Sequence, residues 1–405
     1  MMAINIMLRY PKYLKGFRCI ADKCEDTCCA GWDIDIDKVT FKRYFKVNNQ
    51  EMKKMFQKNV HNNQYCTSED IDYGRVKLKN NKRCAFLDDN NLCIIYSNIG
   101  EDYLSNVCTC YPRITNIIDG NYEMTLDVSC PEAARKVLSL KDGIEFITEK
   151  VTLNKHIISG NIDTRSKELK GSIFMHFKEI RQKSIDIIEN KKYSLDERLY
   201  VLGVFLDNIT ELGDGDVRAV GRYIDNFNTK DALALYMADD MRYMIQISFF
   251  KGLLDKLDVF KEVASKTFKA YTEKVLKGYD FVDNITEKSQ EYVEAYKKYN
   301  NDIMSKYGYI FENYLINFIY NNLFPFSEND VAFHGYIMLL IRYSYMRFFL
   351  VGLMLDGEEL DEEKIITFIQ TFLKTTEHHK TYYTDVLEEV VQNEYDNMMF
   401  VNNII

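Results

Sequence analysis

From about residue 165 onward, apolar side chains recur at spacings of three and four. The segments KELKGSIFMHFKEIRQKSIDII, DERLYVLGVFLDNITEL, ALALYMADDMRYMIQISFFKGLL, SKYGYIFENYLINFIYNNLF and AFHGYIMLLIRYSYMRFFLVGLML all carry this pattern. Each predicts an amphipathic or buried helix. The breaks between them are polar or contain Gly or Pro: Gly213 to Asp216, Asn228 and Thr229, Pro325 to Asn329, Asp356 and Gly357. Asp214 or Asp216, Thr229 and Ser327 are the expected N-caps. No fixed-period repeat runs through this half.

The first third reads differently. Trp32, Ile34 and Ile36 alternate with Asp33, Asp35 and Asp37, the period of a half-buried strand. The favoured reading of the three aspartates is a wet sheet face; the other is a carboxylate rim for a lysine ammonium. Lys38 to Lys58 predicts one amphipathic helix, and YGRVKLK at 73–79 alternates again. RCAFLDDNNLCIIY at 83–96 reads as a hairpin turning at Asp88 to Asn91, which brings Cys84 and Cys93 together. A short helix ends near Cys108, before Pro112. Two strands follow about Asp119 and Gly120, and Pro131 opens a helix at its preferred first position. The fold class expected is α+β: a Cys-rich part with short strands over 1–140, then a large all-α part over 141–405.

Composition sharpens this division. The ten cysteines lie at 19, 24, 28, 29, 66, 84, 93, 108, 110 and 130, and none lies beyond. Three of the four prolines and the only tryptophan share that region. The N-terminal stretch MMAINIMLRYPKYLKGF lacks the apolar run and cleavage site of a secretory leader. The most apolar later stretch, Tyr336 to Leu355, carries Arg342 and Arg347, which a bilayer penalises. A cytoplasmic protein without membrane contact is expected. A formal charge of -9 with no basic block argues against a nucleic-acid partner. In a reducing compartment, adjacent Cys28 and Cys29 near Cys24 favour metal or iron–sulfur ligation, because gathered thiolates need a cation.

Other motifs carry less. GDGDVRAVG at 213–221 follows a helix and is not GxGxxG, so it reads as an inter-helix turn. CEDTCC has Cys at 24 and 28, but Gly31 stands where CxxxCxxC needs a third Cys. His378 and His379 with Glu377 point about 100° apart on a helix and do not converge on one ion. They read as a solvated helix end.

One series of motifs resembles a known family. It comprises Cys19, Cys24, Cys28, Cys29 and Trp32, then CAFL from Cys84, CIIY from Cys93 and the segment from Gly100 to Leu104. CTCYPRI from Cys108 and SCPEAAR from Ser129 complete it. In order and spacing it is similar to the flagellin lysine-N-methylases, which contain a cysteine-rich zinc- or iron-chelating core. The resemblance is specific for the N-terminal third. It implies methyl transfer from S-adenosylmethionine to lysines of flagellin, and a [4Fe-4S] cluster, with zinc as the alternative metal. The ligands it suggests are Cys28 or Cys29 with Cys84, Cys93 and Cys108. Cys19, Cys24 and Cys130 form a reserve set; Cys66 and Cys110 fall outside the pattern. Arg113 and Arg135 are candidates for the carboxylate of the methyl donor. A monomer is favoured. Two other readings stand beside this one: a zinc-stabilised binding module without catalysis, and an iron–sulfur electron carrier.

Overall fold

The computed structural model describes residues 4–237, 239–281, 288–379 and 381–405. The Cys-rich part runs β1 (Ile4–Pro11), β2 (Asp35–Ile36), α1 (Lys38–Tyr44), α2 (Gln50–Asn59), β3 (Val60–Asn62), β4 (Gly74–Val76), α3 (Ile94–Ile99) and α4 (Asn106–Cys110). β5 (Arg113–Ile118), β6 (Asn121–Leu126), α5 (Pro131–Leu138), β7 (Phe146–Leu153) and β8 (Ile158–Ile162) follow. Then come α6 (Phe177–Ile188), α7 (Leu195–Gly215), α8 (Val217–Asn226), α9 (Thr229–Leu233), α10 (Arg242–Lys256), α11 (Val259–Glu262) and α12 (Lys266–Tyr279). The chain finishes with α13 (Ser289–Lys298), α14 (Ser305–Asn321), α15 (Ala332–Leu355), α16 (Glu362–Thr376), α17 (Tyr382–Gln392) and α18 (Met398–Ile404). This is the expected α+β arrangement with a mostly helical C-terminal part.

Five strands form one sheet in the order β7-β1-β6-β5-β8. β1 pairs antiparallel with β7 and parallel with β6, and β5 pairs parallel with β8. The β5–β6 hairpin turns at Asp119 and Gly120, both at positive φ, as the sequence predicts. β7 and β8 follow residue 140, so the sheet continues past that point. Strands β2, β4 and β3 make a second, small antiparallel sheet.

Several local expectations change. The helix expected over 38–58 is two helices, because Asn49 accepts a hydrogen bond from the Met52 amide and starts a new one. The turn at 88–91 is present, but its arms pair only through a single bridge, Leu87 with Cys93; Ile94 already begins α3. Of the alternating stretch from Trp32 to Asp37, only Asp35 and Ile36 pair as strand. Asp216 caps α8 as expected. Asp214 lies within α7, Asn228 rather than Thr229 caps α9, and α15 starts beyond Ser327, at Ala332. Asn228 takes the cap of α9 because its side chain accepts the Lys230 amide, and no side chain caps α15.

α14 joins the helices to the sheet. Asn313, Asn317 and Asn321 recur every fourth residue on one buried face. Asn313 Nδ2 donates to the Leu140 carbonyl at 2.8 Å, and Asn317 and Asn321 both donate to the Leu126 carbonyl, at 3.0 and 3.1 Å. From the sheet side, Asn116 donates to the carbonyls of Tyr320 and Asn321, and the Tyr13 hydroxyl donates to Asn317 Oδ1 at 2.7 Å. Arg181 of α6 adds a two-pronged pair with Glu123 of β6 at 2.7 and 2.8 Å.

α15 is long and apolar enough to cross a membrane, with a mean hydropathy of 1.5, yet 94% of its apolar window is buried within the protein. Its two arginines are paired inside. Arg347, fully buried, reaches Asp196 at 3.2 Å, Gln246 Oε1 at 2.9 Å and the Ile404 carbonyl at 3.0 Å. Replacing Asn317 with Leu removes two of the α14 contacts and strands the Tyr13 hydroxyl. Chemical denaturation is expected to show a loss of about 1–3 kcal/mol. Asn322→Ala, at an exposed position one residue past the helix, is expected to stay within about 0.5 kcal/mol of the parent.

Candidate functional site

The fold gathers thiols from four separate segments. The loop before β2 carries Cys28 and Cys29, whose sulfurs are 3.9 Å apart. The Cys29 carbonyl accepts the Cys84 amide at 2.8 Å, which lays the second segment against the first. The Leu87–Cys93 bridge folds Cys93 back beside Cys84. Cys108 arrives on α4, whose Ser105 cap accepts the Cys108 amide at 3.2 Å and donates to the Asp35 carbonyl at 3.0 Å. Asp37 fixes the same corner: one carboxylate oxygen caps α1 and the other accepts the Asn106 amide. The three alternating aspartates are therefore neither a wet face nor a lysine rim. Asp35 and Asp33 face Arg75, at 2.9 and 3.7 Å, and Asp37 is buried.

The thiols feel one another. Cys28 is pulled down to about 7, because Cys29 donates its S–H to it and the Lys374 ammonium helps, against the effect of burial. Cys29 is pushed up as the partner that keeps the proton. Burial pushes Cys84 up to about 12, with Cys93 and Cys28 adding to it. Cys108 is likewise pushed up to about 12 by burial, with Cys84, Cys93 and Cys28 contributing. Cys28 and Cys108 keep solvent-accessible surface although protein surrounds them closely. Both statements hold when the two thiols line a recess. Cys130 interacts with Cys24 and Cys28, and Cys24 with Cys19, so the reserve set forms a neighbouring group joined through Cys28. Among the described residues no three Cys, His, Asp or Glu side chains converge to hold a single metal ion.

α4 separates this recess from a second cavity. Cys108 and Cys110 are two residues apart on the helix, about 200° around it, and so face opposite ways. Cys110 lines a cavity of about 410 Å³ over the face of the large sheet. Leu8, Met124, Val151 and Leu153 give it an apolar wall; Arg113, Lys155 and His156 give it a basic one. Its size lies in the range of small-molecule pockets. The two arginines proposed from sequence separate here. Arg113 lines the cavity, with its guanidinium over the Phe17 ring at 5.1 Å, and makes no ion pair among the described residues. Arg135 is taken up by Glu25 and Glu132 outside the cavity.

The thiol loop is also held from the far end of the chain, which sequence reading missed. Lys374 of α16 donates to Asp26 Oδ1 at 2.6 Å and to the Thr27 carbonyl at 2.7 Å, and lies 5.4 Å from the Trp32 ring centre. Gln370, one turn earlier, donates to the Ser129 carbonyl at 2.7 Å. His378 is not part of a solvated helix end: its Nε2 is 3.0 Å from Ser129 Oγ and its ring lies 4.2 Å from that of Trp32. The Tyr111 hydroxyl completes the junction, 2.9 Å from Ser129 Oγ. The available signal was the i, i+4 spacing of Gln370 and Lys374, polar residues on the buried face of an otherwise apolar helix.

A Cys-rich α+β part clamped onto a helical part defines a class, and the comparisons identify it. The family described as the FliB lysine N-methylase C-terminal domain matches residues 181–403. The chain belongs to the FliB lysine N-methylase family, and by class to the protein-lysine N-methyltransferases. It is 28% identical over 164 residues to the flagellar biosynthetic protein FliU of Salmonella muenchen, covering 40% of this chain and 95% of that protein. It is 26% identical over 152 residues to a lysine-N-methylase of Salmonella typhimurium and to one of Salmonella choleraesuis. Those matches span 37% of this chain and 37% of each relative, well under half their length. No solved structure matches.

Because the Lys374 cation helps hold Cys28 low, metal-free protein is expected to alkylate at Cys28 with a pH midpoint of about 7. Lys374→Met is expected to move that midpoint upward, read by the pH dependence of iodoacetamide labelling at this peptide.

Proposed function

We propose that the chain transfers methyl groups from S-adenosylmethionine to lysines of flagellin and carries a [4Fe-4S] cluster on its N-terminal thiols. The observation that supports this best is the placement of α4. One of its faces belongs to a set of thiols around a recess, and the other to a cavity with a basic and an apolar wall. The FliU and lysine-N-methylase relatives support a flagellar lysine substrate.

Arg113 and Lys155 suit the carboxylate of an amino-acid moiety, and the Leu8, Met124, Val151 and Leu153 wall suits a flat heterocycle. The methyl donor would supply a sulfonium methyl. The lysine amine forms the new C–N bond as the C–S bond breaks, and the amine's proton leaves to a base or water. Cys28 or Cys29 with Cys84, Cys93 and Cys108 are the thiols for the cluster, with Cys19, Cys24 and Cys130 in reserve. The donor type fits: a four-iron cluster takes thiolates and is wider than one ion, so its ligands need not converge on a point. Bound there, a cluster would offset the repulsion among these thiols and could carry an electron. A soluble, cytoplasmic monomer completes the reading.

The test is anaerobic purification followed by iron, zinc and sulfide analysis, then lysine methylation of flagellin followed by peptide mass spectrometry. About four irons and four sulfides per chain are expected. Stoichiometric zinc without sulfide would replace the cluster with a zinc-stabilised fold. Failure to methylate flagellin with the metal in place would overturn the activity. Arg113→Ala is expected to weaken S-adenosylmethionine binding at least about ten-fold, and Arg135→Ala much less.

A further inference from the structure

α16 runs out into Glu377, His378 and His379, and the two histidines part company. His378 turns to Ser129 and Trp32, as described. His379 lines a different recess, of about 240 Å³, together with Ser327, Glu328, Arg342, Glu377 and Tyr383. This volume is small for a cofactor and suits a single side chain.

Arg342 lines the recess and is 4% exposed. Its Nη1 reaches Glu328 Oε1 at 3.0 Å, its Nε reaches Glu377 Oε1 at 2.7 Å, and its guanidinium carbon lies 3.9 Å from the Tyr383 ring centre. One guanidinium between two carboxylates leaves the recess with a net negative charge. Among the described residues no second cation pairs with either glutamate. An anion is therefore disfavoured, even though an arginine lines the wall.

A second observation is independent of charge. Two buried polar atoms here have no hydrogen-bond partner: Ser327 Oγ and His379 Nδ1. The Tyr383 hydroxyl, on a residue 7% exposed, bonds Thr376, whose own proton goes to the Phe372 carbonyl, so the tyrosine oxygen keeps its lone pairs. Buried polar atoms are mostly paired in folded proteins, so these acceptors side by side call for a donor. All three can accept, His379 in its Nε2–H form. A primary ammonium brings one positive charge, three N–H donors and no acceptor.

We infer that this recess seats a primary ammonium, a lysyl side chain of the protein substrate other than the one methylated, since it shares no lining residue with the cavity assigned to the methyl donor. That it serves the substrate rests on the methylase reading; that it binds an ammonium does not.

The experiment uses the full metal-loaded chain and n-butylammonium chloride, with n-butanol as the neutral isostere. Binding is followed by calorimetry and by the histidine ring resonances in NMR. Saturable binding of butylammonium with a shift of the His379 signal is expected, and none with butanol. Glu328→Gln should weaken it ten-fold or more. Because this change also loosens Arg342, folding is checked by circular dichroism, and Ser327→Ala provides a milder variant expected to weaken binding several-fold. Equal binding of butanol, no saturable binding, or unchanged affinity in both variants would overturn the proposal. If butylammonium binds as expected but flagellin is not methylated, the ammonium seat stands and the methylase reading fails. If flagellin is methylated, Glu328→Gln should raise KM for flagellin more than it lowers kcat.

Discussion

The asparagine ladder of α14 is the constraint on which the rest depends. A helix packed against a sheet ordinarily meets it with apolar side chains alone, which allow several registers. Three amides that must each find a carbonyl allow one. Asn317 and Asn321 share the carbonyl at the end of β6, and Asn313 reaches the one just past α5. Sliding α14 by part of a turn would leave all three buried and unpaired, and sliding it by a full turn would strand one, at a cost that apolar contacts do not recover. The ladder thereby fixes α14 against α5, α6 and the sheet, and α16 packs on α5 in turn, carrying Lys374, Gln370 and His378 to the thiol loop.

The interior of the helical part is polar in a few chosen places. Arg347 and Arg342 sit in the most apolar helix of the chain, yet each meets carboxylates from elements distant in sequence. A buried ion pair adds little net stability but is costly to break, so it selects one arrangement of helices over near alternatives. The two arginines differ in what surrounds them. Around Arg347, Asp196, Gln246 and the Ile404 carbonyl take both Nη groups, and only Nε is left without a partner. Around Arg342, space and unpaired polar atoms remain.

Much of this was legible in the sequence, and the exceptions follow a rule. The Cys-rich to helical change, the hairpin at Asp119 and Gly120, and the helix opened by Pro131 depend on local chemistry, and the structure has them. The grouping of Cys28, Cys29, Cys84, Cys93 and Cys108 followed from family-like spacing, and these segments do lie together. What failed to show were features made by distant partners. β1 and β7 pair over a separation of more than a hundred residues, so their weak alternation meant little alone. Asp37 looked like a solvent-facing residue because its two donors, the Thr40 and Asn106 amides, are not both near in sequence. His378 looked like a frayed helix end because Ser129 and Trp32, which hold it, lie some 250 residues or more away.

The five residues of α4 make a partition so thin that its two sides are mechanically one object. Cys108 and Cys110 are carried by the same short turn, anchored at Ser105 and Asp37. A rigid helix cannot rotate one side chain without swinging the other by the same angle across its axis. Neither side can be reshaped by turning the helix without disturbing the other, because the same two anchors hold both.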